Sequence, residues 1–191
     1  MGVTFDNDKQ MFVFDFEHDG AEDIVNLTGE GYQVEAFGKC FYYGYEFSEQ
    51  VDSNVRSGFI KYVKFSEALQ NNPDLTQFIK KAVDNLDKKI NLYDYNLVVM
   101  PESTSKVNLY MLRYIYRFAQ PKLCSVQEIL APIIDEELCK KIREQNILVI
   151  DDVTTSGSTL NEILRTLRIL NEDNEITIFS LIGRKDLMAE S

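Results

Sequence analysis

The sequence predicts an α/β protein: a parallel sheet flanked by helices, with a β-rich piece at its amino end. Three observations predict it. Short apolar runs, 97–100 and 147–150 among them, have the pattern of strands buried on both faces. Amphipathic stretches at helical spacing alternate with these runs, as the crossovers of a parallel sheet require. The run 147–150 then ends in two carboxylates, Asp151 and Asp152, and a Thr/Ser/Gly loop that opens the next helix. Ligands of open α/β sheets sit outside the carboxyl ends of the strands, so this junction is the expected site.

Taken in order, residues 1–50 form the β-rich piece and residues 51–191 the α/β core. Residues 10–16 alternate imperfectly and 32–37 alternate well, with Gly20, Asn26, Gly29 and Gly31 marking turns between them. Residues 40–47 are strongly aromatic and read as a further strand, core or subunit interface before a base-stacking platform. His18, the sole histidine, lies in a polar, acidic turn and reads as solvated. Val55 to Phe65 reads as helical, with Arg56, Lys61 and Lys64 between apolar residues. Asn72 and Pro73 supply an N-cap and first-turn proline for a helix whose apolar face is Leu75, Phe78, Ile79, Ala82, Val83, Leu86 and Ile90.

Strands are expected near 95–100, 123–127, 147–151 and 175–182. Helices are expected over 107–118, from about 136 to 144, and over 159–170.

Composition excludes several classes. At 191 residues and 45% hydrophobic, the chain has ample core for one α/β domain. A net charge of −11, from 20 basic and 31 acidic side chains, argues against a general nucleic-acid binder. An anionic ligand can still be held where Mg²⁺ and backbone amides neutralise it locally. Cys40, Cys124 and Cys139 are widely spaced, which suggests neither a disulfide framework nor a zinc cluster. The acidic flanks of residues 1–5 do not make a signal peptide, and Asp6 stands where myristoylation wants Ser or Thr. No apolar run approaches the length of a membrane span. The expected location is the cytoplasm.

The junction at 151–159 has a readable chemistry. Thr154 to Thr159 offer hydroxyls and backbone N–H groups at a helix amino end, where partial positive charge and unused donors suit a phosphate. Gly157 permits close approach or positive φ. Asp151 and Asp152 would repel a phosphate, but they can accept hydrogen bonds from vicinal hydroxyls or hold a hydrated Mg²⁺. A phosphate pocket beside a diol pocket describes a ribose 5-phosphate. A receiver domain also ends a strand in an acidic pair, but that pair opens the domain, and here only about forty residues follow it. Capping alone would explain the hydroxyls but not both carboxylates. Neither G-x-x-x-x-G-K-[ST] nor G-x-G-x-x-G occurs.

On these residues, Asp151 to Thr159 resembles the phosphoribosyl-pyrophosphate (PRPP) signature of type I phosphoribosyltransferases. The ComF-like branch is the nearest in pattern: Met100-Pro101 stands where that branch often has Val-Pro, Gly183-Arg184 follows the last strand, and Phe59-Ile60-Lys61-Tyr62 is similar to its leucine-lysine-tyrosine region. The resemblance covers roughly the last half of the chain. It implies that Asp151 and Asp152 hold the ribose hydroxyls and, through water, Mg²⁺. It also implies that Val153, Thr154, Thr155, Ser156, Gly157, Ser158 and Thr159 bind the 5-phosphate of PRPP. Pro101, Glu102, Ser103, Thr104, Ser105 and Lys106 would form the pyrophosphate loop, although an ordinary strand–helix turn remains open there and Glu102 is awkward beside a polyanion. The β-rich piece is the candidate for the hood, the small region that covers the core in such enzymes.

The activity implied is transfer of a 5-phosphoribosyl group from Mg-PRPP to a nitrogen nucleophile in nucleotide metabolism, with release of pyrophosphate. PRPP and a small-molecule acceptor are the expected partners, with no direct nucleic-acid or membrane contact, and a homodimer is allowed. One departure matters. Catalytic members insert a long basic lid after the second core strand, whereas here residues 128–135 are short and carry no lysine or arginine. A PRPP- or nucleotide-binding sensor without turnover is therefore the second reading. A partner-binding scaffold that keeps only the fold is the third.

Overall fold

The computed structural model describes residues 2–6, 11–18, 21–24, 32–36, 39–46, 73–101, 106–131, 136–154, 157–170, 172 and 175–183. The helix expected over 55–65, with the segment 59–62, lies outside the described residues, as do Asn72 and Arg184.

Strands β1 (Gly2–Asp6), β2 (Met11–His18) and β3 (Ala21–Ile24) pair antiparallel in the order β1-β2-β3. His18 ends β2 opposite Ala21. The larger sheet contains β4 (Tyr32–Ala36), β5 (Lys39–Glu46), β6 (Leu97–Met100), β7 (Lys122–Ser125), β8 (Asn146–Val153) and β9 (Glu175–Gly183). Its order is β4-β5-β9-β8-β6-β7; five strands run parallel, and β4 is antiparallel to β5. Helices α1 (Pro73–Asp87), α2 (Lys106–Ile115), α3 (Val126–Ile129), α4 (Glu136–Ile142) and α5 (Ser158–Leu170) complete the described fold. The parallel sheet flanked by helices expected from the apolar runs is therefore present. Among the described residues, no helix is long and apolar enough to cross a membrane.

Side-chain alternation along each strand divides the core in two. On one face, Val98, Met100, Leu148, Ile150 and Leu181 pack with Leu75, Phe78, Ile79, Ala82 and Val83 of α1 and Val107, Met111 and Ile115 of α2. On the other, Leu97, Val99, Ile147, Val149 and Ile178 pack with Ile129 of α3, Leu138 and Ile142 of α4, and Leu160, Ile163, Leu164 and Leu167 of α5. Being covered on both sides is what parallel strands need, and it explains why these strands read as unbroken apolar runs.

Strand β5 joins this sheet as the parallel neighbour of β9, although sequence grouped it with the amino-terminal piece. Its aromatic residues are core: Phe41, Tyr43 and Tyr45 have no exposed surface. Tyr45 stacks on Phe78 of α1 with centroids 3.8 Å apart and planes 9° from parallel. Its hydroxyl donates to the Phe78 carbonyl at 2.7 Å, and burial raises its pKa well above the ordinary tyrosine value. Beside it, Gly44 lets α1 approach, because a Cβ there would lie 2.6 Å from the Ala82 Cβ.

The amino ends of the central strands are stitched shut. Asn96 N–H donates to the Asn146 carbonyl at 3.2 Å, Asn146 N–H to the Asn96 Oδ1 at 3.0 Å, and Lys122 N–H to the Asn96 carbonyl at 2.8 Å. Asn146 Nδ2 also reaches the Asp94 carbonyl at 3.0 Å. Two segments depart from expectation: the helix foreseen to 118 ends at Ile115, and the strand foreseen to 127 stops at Ser125, where α3 begins. Ser125 and Glu128 form a capping box, with Glu128 N–H donating to Ser125 Oγ at 3.1 Å and Ser125 N–H to Glu128 Oε2 at 2.6 Å. That reciprocal pair satisfies two donors only if the chain turns helical at residue 126.

Gly44→Ala should destabilise the protein by about 1–3 kcal/mol, the usual cost of overpacking, measured by urea unfolding. An unchanged midpoint would mean that α1 can retreat from β5.

Candidate functional site

Strands β6 and β8 are neighbours whose chains leave in opposite directions. After β6 the chain passes through α2, on one face, to β7; after β8 it passes through α5, on the other face, to β9. Such a reversal is a topological switch point, and it leaves a crevice outside the strands' carboxyl ends. A cleft of about 270 Å³ lies there, lined by Pro101, Val126, Ile150, Asp151, Asp152, Val153, Thr159, Leu160 and Ile163. Five sequence-predicted site residues, Pro101, Asp151, Asp152, Val153 and Thr159, thus meet around one space. Glu102, Ser103, Thr104, Ser105, Thr155 and Ser156 lie outside the described residues. Lys106 is exposed at the start of α2, and Gly157 and Ser158 border the start of α5 without lining the cleft.

The two aspartates differ. Asp151 is half-buried and its Oδ1 accepts the Asp152 N–H at 2.9 Å. Asp152 is 2% exposed and its Oδ1 accepts the Val153 N–H at 2.7 Å. Each carboxylate thus fixes the backbone of the residue after it, at the point where the strand gives way to the loop. Asp151 is the more accessible of the two to a ligand's hydroxyls.

Gly157 adopts φ 70°, the left-handed region that glycine occupies without strain. Its carbonyl accepts the Asn161 N–H at 2.9 Å, the first hydrogen bond of α5. Helix geometry therefore leaves the amides of residues 159 and 160 without intrahelical acceptors, and the helix dipole adds positive potential there. The mouth of α5 and the acidic pair stand on adjoining walls of the cleft.

Thr154 turns the other way. It is 3% exposed, and its hydroxyl donates to Ser180 Oγ of β9 at 2.9 Å. Ser180, fully buried, donates in turn to the Ile182 carbonyl at 3.1 Å, which also accepts the Thr154 N–H at 2.9 Å. Sequence reasoning did not single out Ser180; the one signal was its hydroxyl in a run whose other residues, Thr177 apart, are apolar from 176 to 182. Asn108 was missed as well. It is 1% exposed in the first turn of α2, and neither amide atom has a hydrogen-bond partner among the described residues. Only its polarity on the helix stripe shared with Met111, Leu112 and Ile115 could have marked it.

Among the described residues, no three His, Cys, Asp or Glu side chains group to hold a metal. Two carboxylates alone still suit Mg²⁺, which keeps several waters and shares its coordination with substrate phosphates. Cys124 offers no nucleophile, since burial pushes its thiol up to about 12. Beside it, the Ser125 N–H holds the Glu128 carboxyl below the usual glutamate range, and Lys141 adds to this from 3.4 Å. A larger depression of about 550 Å³ lies along the outer side of α1 by Lys80, Lys81, Lys88 and Tyr114. Its carboxylate, Asp84, is ion-paired with Lys80 and lies 3.8 Å from Arg117, and no strand end opens into it.

No protein-family model matches the chain, and no curated protein does. Similar solved structures include a hypoxanthine-guanine-xanthine phosphoribosyltransferase at 14% identity and TM-score 0.43, covering 58% of this chain and 62% of that one. A purine phosphoribosyltransferase from Pyrococcus horikoshii matches at 14% identity and TM-score 0.41, over 56% of this chain and 82% of that one. A hypoxanthine-guanine phosphoribosyltransferase from Leishmania tarentolae in complex with GMP matches at 13% identity and TM-score 0.38, over 56% and 63%. The chain thus spans less than two thirds of the first of these structures. With TM-scores below 0.5, these likenesses assign no activity to this chain.

Two outcomes are expected of the elements around the cleft. Asn108→Leu should not destabilise the fold and should raise the thermal midpoint, because a buried amide without partners costs about 1–3 kcal/mol; a falling midpoint would show that the amide is satisfied. For Glu128, a carboxyl held below its unfolded value stabilises above the ordinary glutamate range and loses that effect as pH falls. Thermal melts of wild type and Glu128→Ala should therefore differ at pH 7 and converge toward pH 3; a gap that persists in acid would refute this.

Proposed function

We propose that the cleft at the carboxyl ends of β6 and β8 binds Mg-PRPP and transfers its 5-phosphoribosyl group to a nitrogen nucleophile, releasing pyrophosphate. One observation carries this reading: an acidic pair and the amino end of a helix adjoin a single small cleft. A phosphorylated sugar needs that combination, with acceptors for its hydroxyls and donors for its phosphate. The volume of about 270 Å³ is below the roughly 300–1,000 Å³ of small-molecule sites, which suits the sugar portion of the ligand.

In this reading Asp151 accepts hydrogen bonds from the ribose hydroxyls. Asp152 holds the backbone that carries the loop and lends its charge to the same wall. The amides of residues 159 and 160 and the Thr159 hydroxyl receive the 5-phosphate, with Thr155, Ser156, Gly157 and Ser158 of the signature completing the loop. Pro101 to Lys106 receive the pyrophosphate, whose charge Lys106 meets. When bound, Mg²⁺ would neutralise the pyrophosphate and ease its departure. The bond from ribose C1 to the pyrophosphate oxygen breaks with its electron pair leaving on oxygen, and a nitrogen lone pair makes the new bond to C1. The chain's part is to orient the two reactants and to place carboxylates near a ribose ring that becomes positively charged. No protein nucleophile is required.

A second reading, a non-catalytic PRPP- or nucleotide-binding sensor, draws on α3. The segment after β7, where a closing lid would start, is folded back by the Ser125–Glu128 capping box. Water exclusion by a long lid is then not available from residues 126–131. Soluble, cytoplasmic operation suits either reading, as does membership of the ComF-like branch.

Calorimetric titration with Mg-PRPP is expected to give micromolar affinity, about −8 kcal/mol. Asp151→Asn should weaken it at least about tenfold, roughly 1.4 kcal/mol, at an unchanged thermal midpoint. Asp152→Asn, at a buried position, should lower both affinity and midpoint. Pyrophosphate release with a panel of nitrogen bases then separates enzyme from sensor. Absence of PRPP binding in the folded wild type would overturn both.

A further inference from the structure

Ser180 has a role that the cleft itself does not reveal. It is paired in register with Asp151 on β8 and with Tyr43 on β5, within the run 178–183 that is buried throughout and mostly apolar. A hydroxyl at a fully buried position is costly unless it is bonded, and alanine would fill nearly the same space. Ser180 is bonded on both sides. It accepts from Thr154 Oγ1 at 2.9 Å and donates to the Ile182 carbonyl at 3.1 Å, while Thr154 N–H reaches the same carbonyl at 2.9 Å. The ring closes: Thr154 hydroxyl to Ser180 hydroxyl to Ile182 carbonyl, and back to Thr154 through its own amide.

We infer that Ser180 is a positioning residue for the amino end of α5, fixing through Thr154 where the chain leaves β8 and hence where the first amides of the helix meet a sugar phosphate; this rests on the function proposed above. The argument is geometric. The loop has two fixed ends. At one, Gly157 at φ 70° begins α5, whose buried face Leu160, Ile163, Leu164 and Leu167 anchors the helix in the core. At the other, Thr154 is tied to β9 rather than to its own strand. Two residues separate these ends, so a small displacement of Thr154 is passed to the helix mouth with little chain to absorb it. Sequence alone assigns the Thr154 hydroxyl to phosphate; the ring uses it to hold the backbone instead. The pyrophosphate loop 101–106 follows a different strand, β6, and is not part of this ring.

That separation supplies the test. Affinities of wild type, Ser180→Ala, Thr154→Val and the double variant are measured by calorimetry for ribose 5-phosphate and, separately, for magnesium pyrophosphate, with thermal midpoints recorded for each. Ribose 5-phosphate binding should weaken about tenfold in either single variant and little further in the double variant, as two members of one interaction behave. Pyrophosphate binding should be unchanged. Ribose 5-phosphate affinity unaltered in both single variants, or equal losses for both ligands, would overturn the inference; so would additive losses in the double variant. If Ser180→Ala does not fold, Thr154→Val alone decides by the same ligand comparison. A folded wild type that binds neither ligand would instead defeat the function proposed for the cleft, and this inference with it.

Discussion

The reversal of chain direction between β6 and β8 is the constraint on which the rest of the structure depends. Two parallel neighbours send their chains to opposite faces of the sheet, so a crevice opens beyond their carboxyl ends. At the opposite end, the Asn96 and Asn146 backbones and amides tie β6, β7 and β8 together. The sheet is therefore cross-tied at one end and carries the cleft at the other. This asymmetry exists before any side chain in the cleft is considered.

Polarity follows the same asymmetry. Among the described residues the buried polar side chains are Asn108, Ser125, Asp152, Thr154 and Ser180. Ser125 closes β7, Asp152 and Thr154 stand where β8 ends, Ser180 lies in the carboxyl half of β9, and Asn108 is in the first turn after the β6 loop. Burying such groups opposes folding unless hydrogen bonds offset the loss of water. Four of them have such bonds, and these bonds fix turns: the capping box of α3, the departure of the loop from β8, and the tie between that loop and β9. Apart from the tyrosine hydroxyls of β5, the described core elsewhere is apolar on both faces, so most of the buried polarity lies where the chain must change direction beside the cleft.

The electrostatics of the cleft combine opposite tendencies at short range. The amino end of α5 favours an anion, while Asp151 and Asp152 disfavour one. A simple anion gains little from that pairing, and a simple cation gains little more. A molecule carrying a phosphate and neighbouring hydroxyls uses both walls, which is why the sugar-phosphate reading accounts for more of the residues than a generic anion site would. The overall charge of −11 is consistent with recognition by local backbone donors rather than by a broad basic surface.

Much was legible in the residues themselves. Apolar runs marked β6, β8 and β9, helical spacing marked α1, α2 and α5, and Asp151, Asp152 and Thr159 were placed at a strand–helix junction, because each of these signals is local. The Ser125–Glu128 capping box was also written locally, yet the β-branched and apolar context drew the strand two residues too far. Strand order was not legible, since hydrogen bonds between parallel strands join residues distant in sequence and leave no periodic trace. For that reason β5 looked like part of an amino-terminal piece when it is the neighbour of β9, and Ser180 looked like an incidental polar residue. Sequence determined which segments are buried and where a charged junction interrupts them; only the tertiary structure decided which strands adjoin, and so that Thr154 turns inward to Ser180 while Asp151 faces the cleft.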